Sequence, residues 1–363
     1  VGRREDRALA GLGVKMSDFW QGKRVFLTGH TGFKGSWMAL WLSQMGAQVT
    51  GYALPPDTEL ALFDQLDIAN RISSQFGDIN SYEALLSALD EAKPDFVFHL
   101  AAQSLVLRGY SDTLTTWQTN VMGTANLFEA LRVLKRPATV VAVTTDKVYR
   151  NTEAHHAFVE DDPLGGIDPY SASKAGTELV VNSYRSVLLQ EKLPIRVASA
   201  RAGNVIGGGD WCENRLVPDI ARALIANEPL LTRNPQAVRP WQHVLEPLAG
   251  YMQLAELLHG DPQFADAYNF GPDITDNRTV QDVIVESLKS WPGTYAPTDN
   301  SDMPHEANLL MLNIEKAKAK LGWAPRWNFE TAVAKTMQWY RQTHEGADPV
   351  ELSLAQIAEF TRS

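Results

Sequence analysis

Cysteine is almost missing from this chain: Cys212 is the single one in 363 residues. An internal disulfide is therefore excluded, and nothing calls for an oxidising compartment, so a cytoplasmic setting is expected. With no supporting cluster, Cys212 does not read as a nucleophile. Excess positive charge is also lacking. The formal net charge is -10, which argues against generic nucleic-acid binding, since that leaves a basic footprint. A local basic pocket for a small anion stays compatible with it. No apolar run approaches the roughly 20 residues needed to span a membrane. Internal repeats and low-complexity tracts are absent. His155-His156 is tempting, but adjacent histidines in a polar loop point different ways, so no metal site is expected.

What is present fits a large globular protein. Hydrophobic residues make up 44% and charged residues 21%, and the length suits one large unit or two lobes. Residues 1–15 carry Arg3, Arg4 and Arg7 without an apolar core, so they are no secretory signal. Met16 precedes the first patterned segment, and 1–15 are expected to be a non-native or disordered leader. Short apolar runs then alternate with helical patterns, the signature of parallel βαβ units. Strands are expected at 24–28, 48–54, 95–100, 139–144 and 195–200, with helices at 32–46, 81–92, 114–134 and 169–190. After Gly203 the texture changes to Gly207-Gly208-Gly209, tryptophans and prolines. The expected fold is α/β: a Rossmann-type doubly wound parallel sheet with a smaller C-terminal substrate-binding lobe. The division falls between 16–203 and 204–363, with some of the later chain returning to the sheet.

Thr28-Gly29-His30-Thr31-Gly32-Phe33-Lys34-Gly35 joins the first strand to the first helix. Glycines there permit a tight turn and close approach of backbone to a pyrophosphate, whose charge suits a helix N-terminus. The spacing is G-x-x-G-x-x-G. In this strand-to-helix context it predicts dinucleotide binding through Gly29, Thr31, Gly32, Phe33, Lys34 and Gly35, which makes 16–203 an NAD-binding Rossmann domain. An acid about 20 residues further on ordinarily holds the adenosine ribose. Here the second strand ends Tyr52-Ala53-Leu54-Pro55, with no acid before Asp57. No arginine or lysine lies there for a 2′-phosphate, so NAD is favoured over NADP. The ribose is expected to be held loosely, with activity rising on added NAD. Asp78 is a candidate for the adenine amino group, or equally a turn residue before the helix at Ser81.

Tyr170 and Lys174 lie four residues apart on one helix face. The ammonium is expected to lower the phenol pKa and help hold it as a base, which hydride chemistry at an alcohol carbon needs. Thr145 can bond the same hydroxyl. Asp146 and Lys147 are then surplus to alcohol oxidation. An extra acid and an extra base suggest a second reaction, and elimination of water is the obvious candidate.

Together these pieces resemble the extended short-chain dehydrogenase/reductase family. The likeness includes Gly77-Asp78-Ile79, His99-Leu100-Ala101-Ala102-Gln103, Asn120-Val121-Met122-Gly123-Thr124 and Tyr170-Ser171-Ala172-Ser173-Lys174. It continues through Arg201-Ala202-Gly203-Asn204 and Arg239-Pro240-Trp241-Gln242-His243 to Leu321-Gly322-Trp323. The resemblance adds Ile79, Leu100, Ala101, Ala102, Gln103, Asn120, Tyr170 and Lys174 to the cofactor set. Sugar-nucleotide 4,6-dehydratases of this family commonly carry Asp-Glu after the catalytic threonine. Asp146-Lys147, with the His30 and Lys34 variant of the glycine turn, resembles the branch acting on CDP-glucose. A deoxysugar pathway such as lipopolysaccharide O-antigen synthesis, and a homodimer formed through the helices at 114–134 and 169–190, are implied by the resemblance alone.

By family position Asp146 is the acid for the C6 hydroxyl and Lys147 the base for the C5 proton. Asp146 must then be protonated, although a free Asp titrates at about 3.9, and Lys147 neutral, although a free Lys titrates near about 10.4. Desolvation works in both needed directions. For the diphosphate, Arg239 leads as a bidentate donor, followed by Asn204 and Arg215. His305 and Glu306 are candidate nucleotide contacts, and Gln103 and Arg108 candidates for the sugar or second phosphate. His99 reads as a satisfied core histidine. The rivals are a dehydratase for another nucleotide sugar, a sugar-nucleotide 4-epimerase, and a silent dinucleotide-binding protein.

Overall fold

The computed structural model describes residues 18–232, 234–298 and 309–363. The expected leader at 1–15, His305 and Glu306 lie outside them. Seven strands form the central sheet: β1 (Arg24–Thr28), β2 (Gln48–Ala53), β3 (Ser73–Phe76), β4 (Phe96–His99), β5 (Ala138–Val143), β6 (Ile195–Ala202) and β7 (Ala267–Phe270). Their spatial order is β7-β6-β5-β4-β1-β2-β3, and every pairing is parallel. The chain runs outward from β1 to one edge, then restarts at β4 on the other side of β1. That reversal opens a crevice at the carboxyl ends of β1 and β4, where such sheets bind ligands.

Both faces of the sheet are buried. Val25 and Leu27 of β1 enter one apolar cluster and Phe26 the opposite one, the alternation a pleated strand imposes. The Phe26 side is covered by α2 (Tyr82–Ala92), α3 (Gly123–Leu134) and α4 (Pro169–Gln190). The other side carries α1 (Phe33–Gln44) and α5 (Leu245–Gly260), with α6 (Phe329–His344) and α7 (Pro349–Arg362) outside them. α1 is apolar all round because it is covered all round: Trp37 is fully buried, and the Trp41 ring meets Phe360 of α7 edge-on at 5.9 Å.

Two features depart from the sequence reading. The helix expected at 114–134 is broken into Thr113–Trp117, a π-helical turn at Gln118–Met122, and α3. The Asn120 carbonyl there accepts the hydroxyls of Thr124 (2.7 Å) and Thr177 (2.8 Å), which offers it partners outside the helical ladder. β3 was not anticipated, because Ser-Ser-Gln-Phe at a sheet edge has no apolar alternation. β7 is the stretch of later chain that rejoins the sheet, beside β6. Between β6 and the C-terminal helices, short pairs link Leu230–Thr232 to Tyr295–Pro297 and Val238–Arg239 to Arg278–Thr279. Among the described residues no helix is long and apolar enough to cross a membrane, and no cluster of His, Cys, Asp or Glu could hold a metal.

Candidate active site

The turn after β1 is shaped by missing side chains. Gly29 has φ +78°, and a Cβ there would sit 2.7 Å from the Ala101 amide nitrogen. A Cβ on Gly35 would run into the Gly29 carbonyl and the His30 backbone. Gly32 differs: nothing lies closer than 3.5 Å to its Cβ position, and it caps α1 without a side-chain acceptor. The first amides of α1 thus have no side-chain cap, which fits a pyrophosphate. The facing wall is anchored by Thr28, whose Oγ1 accepts the Leu100 (3.2 Å) and Ala101 (3.1 Å) amides. Thr28 also contacts His99 Nδ1 at 2.8 Å, and His99 Nε2 contacts Thr124 Oγ1 at 2.9 Å. Burial pushes the His99 pKa down to about 3, so it is a neutral, bonded core residue.

The turn after β5 carries the candidate chemistry. Thr145, Asp146, Tyr170 and Lys174 are all buried. Tyr170 is placed by the start of α4, where Pro169 occupies the first turn and Asp168 Oδ1 accepts the Ser171 amide at 2.9 Å. Thr145 Oγ1 donates to Asp146 Oδ1 at 2.9 Å, while Asp146 Oδ2 accepts no hydrogen bond. Burial raises the Asp146 pKa, against the pull of Lys147, the Thr145 bond, Arg239 and Lys34.

The net direction expected for the base is reversed. Lys174 Nζ donates to the Val143 carbonyl at 3.1 Å, and burial pushes the Tyr170 phenol up to about 12 despite its bond with Thr145. Lys174 itself is lowered to about 8 by burial, opposed by Glu178.

The other predicted residues divide. Asn120 Oδ1 accepts the Gln103 amide (2.9 Å), and its Nδ2 donates to the Gln103 carbonyl (3.0 Å) and Ser173 Oγ (2.9 Å), tying the β4 loop to α4. The Gln103 side chain is bonded within the fold. It is spent on the Leu105 amide and carbonyl and on Thr116 Oγ1. Arg108 is also drawn elsewhere, to Asp57 (2.9 Å) and Glu213 (3.1 Å), because two carboxylates flank its tip. Asp78 Oδ1 accepts the Asn80 amide at 2.9 Å, the turn role weighed for it, and Ile79 packs under Gly123. Thr31 Oγ1 donates to the Leu54 carbonyl at 2.9 Å. Phe33 is buried and Ala102 partly so. Asn204 is partly buried, and its carbonyl accepts the Gln242 amide at 3.0 Å. Arg215 reaches Asp210 (2.9 Å) and Ser104 Oγ (3.0 Å). Arg239 is buried, and Nη1 donates to the Val238 carbonyl at 2.9 Å.

Lys34 is closer to the chemistry than its motif implied. Its pKa falls to about 7, first through burial and then through repulsion by Arg215 and Lys174; Asp146 and Asp210 pull the other way. Its Nζ lies 3.5 Å from the hydroxyl of Tyr251, a buried α5 residue that no sequence signal singled out. Glu178 was equally unremarked, although its place four residues after Lys174 on the same helix was readable.

A family model described as GDP-mannose 4,6 dehydratase matches residues 26–336. A CDP-glucose 4,6-dehydratase from Salmonella typhimurium is 43% identical over 350 residues, covering 94% of this chain and 97% of that protein. Among solved structures, a dTDP-glucose 4,6-dehydratase from Streptomyces venezuelae with NAD bound superposes with TM-score 0.76 at 24% identity, covering 90% of this chain and all of that one. A dTDP-glucose 4,6-dehydratase from Bacillus anthracis in complex with NAD gives 0.74 at 23%, covering 91% and 100%. At those identities the two structures speak for the fold.

Proposed function

The chain belongs to the GDP-mannose 4,6-dehydratase family of extended short-chain dehydrogenase/reductases, and on that premise we propose that it dehydrates CDP-glucose to CDP-4-keto-6-deoxyglucose with NAD. The observation that carries the elimination is Asp146: a buried carboxyl with raised pKa and one oxygen that accepts no hydrogen bond, on the turn facing Tyr170. Alcohol oxidation or epimerisation has no use for such an acid. The choice of CDP rests on the likeness to the Salmonella protein.

The amide-lined opening at Gly32 would hold the NAD pyrophosphate. When bound, NAD would supply the acceptor for the C4 hydride and its return to C6. Tyr170 accepts the C4 hydroxyl proton, and Thr145 orients that hydroxyl. A charged Lys174 supports the phenolate, whose formation burial opposes. The C4 ketone acidifies the C5 proton, which Lys147 removes. Asp146 gives its proton to the C6 hydroxyl, which departs as water, and the protonated Lys147 returns a proton to C5 as hydride reaches C6, so the atoms balance. Arg239, Arg215 and Asn204 are proposed for the diphosphate. The division at residues 203 and 204 into cofactor and sugar-nucleotide lobes belongs to the same proposal, as does a cytoplasmic setting. A homodimer is supported by apolar side chains left exposed on the two relevant helical segments, Leu114 at 77%, Met122 at 55% and Leu179 at 62%.

The test is mass spectrometry of CDP-glucose, dTDP-glucose, UDP-glucose and GDP-mannose after incubation with protein and NAD. Loss of one water from CDP-glucose alone is expected. Loss from another sugar nucleotide keeps the mechanism and discards CDP. An unchanged mass with a shifted chromatographic position identifies a 4-epimerase.

A further inference from the structure

Behind the candidate site lies an ion pair that the chemistry above does not use. Glu178 on α4 and Arg201 on β6 are buried and joined at 2.9 Å. Glu178 also accepts Thr144 Oγ1 at 2.5 Å and Ser199 Oγ at 2.9 Å. Arg201 Nη1 donates to the Tyr149 hydroxyl and the Glu160 carbonyl, both at 2.9 Å. The Tyr149 hydroxyl donates in turn to Asn269 Oδ1 on β7 at 2.6 Å. Thr144 precedes the Thr145–Lys147 segment and Tyr149 closes it, so one buried pair grips both ends of the candidate catalytic turn.

Such a pair is poorly explained by stability, since apolar replacements of buried ion pairs are often neutral or stabilising. A function for the charge is a better account. We propose that Glu178 is a positioning residue for the reaction: with Arg201 it fixes the turn bearing Thr145, Asp146 and Lys147, and it sets a carboxylate one helical turn from Lys174. The activity consequence rests on the dehydratase reading; the consequence for Lys174 does not.

The surroundings of Lys174 support this. Glu178 lies one helical turn away on α4. Lys34 on α1 and His99 at the end of β4 also act on Lys174's surroundings, but Lys34 repels the ammonium and His99 is neutral. Asp146 and Lys147 lie on the turn packed against α4, and Arg201 sits behind Glu178. Arg108 and Arg132, on neighbouring helical segments, are engaged by Asp57 and Glu213 and by Glu129 and Glu191. Glu178 is thus the acid that opposes the effect of burial on Lys174.

Three variants test the proposal: Glu178→Gln, Glu178→Asp, and the double change Glu178→Gln with Arg201→Met, which avoids stranding a buried guanidinium. Two readouts are taken across pH. One is the appearance of reduced nicotinamide on mixing with CDP-glucose. The other is the labelling rate of Lys174 by a small amine reagent, followed by peptide mass spectrometry without any sugar. In both neutralised variants the midpoint of Lys174 labelling, and the basic limb of hydride transfer, are expected to move down by about one pH unit or more, the usual effect of losing a close opposite charge. Glu178→Asp should restore much of the shift. A folded double variant with both midpoints unchanged, and only its thermal stability altered, would overturn the proposal. A labelling shift in a protein that never turns over CDP-glucose would support the Glu178 role and remove the dehydratase reading instead.

Discussion

Two turns meet at the carboxyl ends of the sheet, and they are built by opposite means. The turn after β1 is defined by atoms that are not there: Gly29 and Gly35 clear the backbone contacts, and Gly32 leaves the head of α1 open. The turn after β5 is defined by side chains that are there. Thr144 and Tyr149 are fastened to Glu178, Arg201 and Asn269, which arrive from α4, β6 and β7. The first should fail when a methyl group is added. The second should fail when a functional group is removed.

The largest effect is expected on the second turn. Replacing Lys147 by Met removes the proposed C5 base and should lower dehydration by about 10²–10⁴-fold, the usual range for such a group. Oxidation at C4 uses other residues, so reduced nicotinamide should accumulate after mixing with CDP-glucose. Rapid-mixing absorbance alongside product mass spectrometry checks both halves. Undiminished overall turnover would remove elimination from this turn and favour an epimerase.

On the first turn the comparable change is an addition. Gly35→Ala drives a Cβ into the Gly29 carbonyl and the His30 backbone, and none of these atoms is the free end of a side chain. NAD affinity should fall by about 10-fold or more, equivalent to about 1.4 kcal/mol. Gly32→Ala, whose Cβ meets nothing closer than 3.5 Å, should leave the fold intact and affect only ligand approach. Calorimetric titration with NAD, beside thermal melts of both variants, measures the contrast. Equal losses of fold stability would break it.

The two turns also differ in how far the sequence discloses them. Glycine spacing is local, so the β1 turn and its helix could be read directly, as could the Tyr170 and Lys174 pair within one helix. The bracing of the β5 turn joins residues up to 120 positions apart, as between Tyr149 and Asn269. No local pattern encodes that. The same limit explains Gln103 and Arg108. Each is a candidate for the sugar or second phosphate, yet the Leu105 backbone and the Thr116 hydroxyl engage the first and carboxylates from two distant loops the second. Burial reversed the direction expected for Tyr170, because desolvation of a phenolate is a property of the packed site and not of the Tyr-x-x-x-Lys spacing.

Asp57 offers the smallest and most discriminating change. It is the first acid after β2, beyond the place where an acid ordinarily holds the adenosine ribose. In the structure its carboxylate faces Arg108 at 2.9 Å, with 65% of the Asp57 side chain and 40% of the Arg108 side chain exposed. An ion pair that open is worth about 0–1 kcal/mol, and its loss is softened further by solvent and salt. Asp57→Asn should therefore change thermal stability little and NAD affinity by less than about threefold, within that same range. A ribose-holding acid would behave otherwise, because losing hydrogen bonds to a charged group costs about 1.5–3 kcal/mol, and NAD binding would weaken by an order of magnitude or more. Titration of Asp57→Asn with NAD at low and moderate salt separates the two. A small, salt-sensitive change assigns Asp57 to Arg108 and leaves the glycine turn to carry the dinucleotide. A large loss would show that the first turn depends on a side chain after all, and would narrow its contrast with the second.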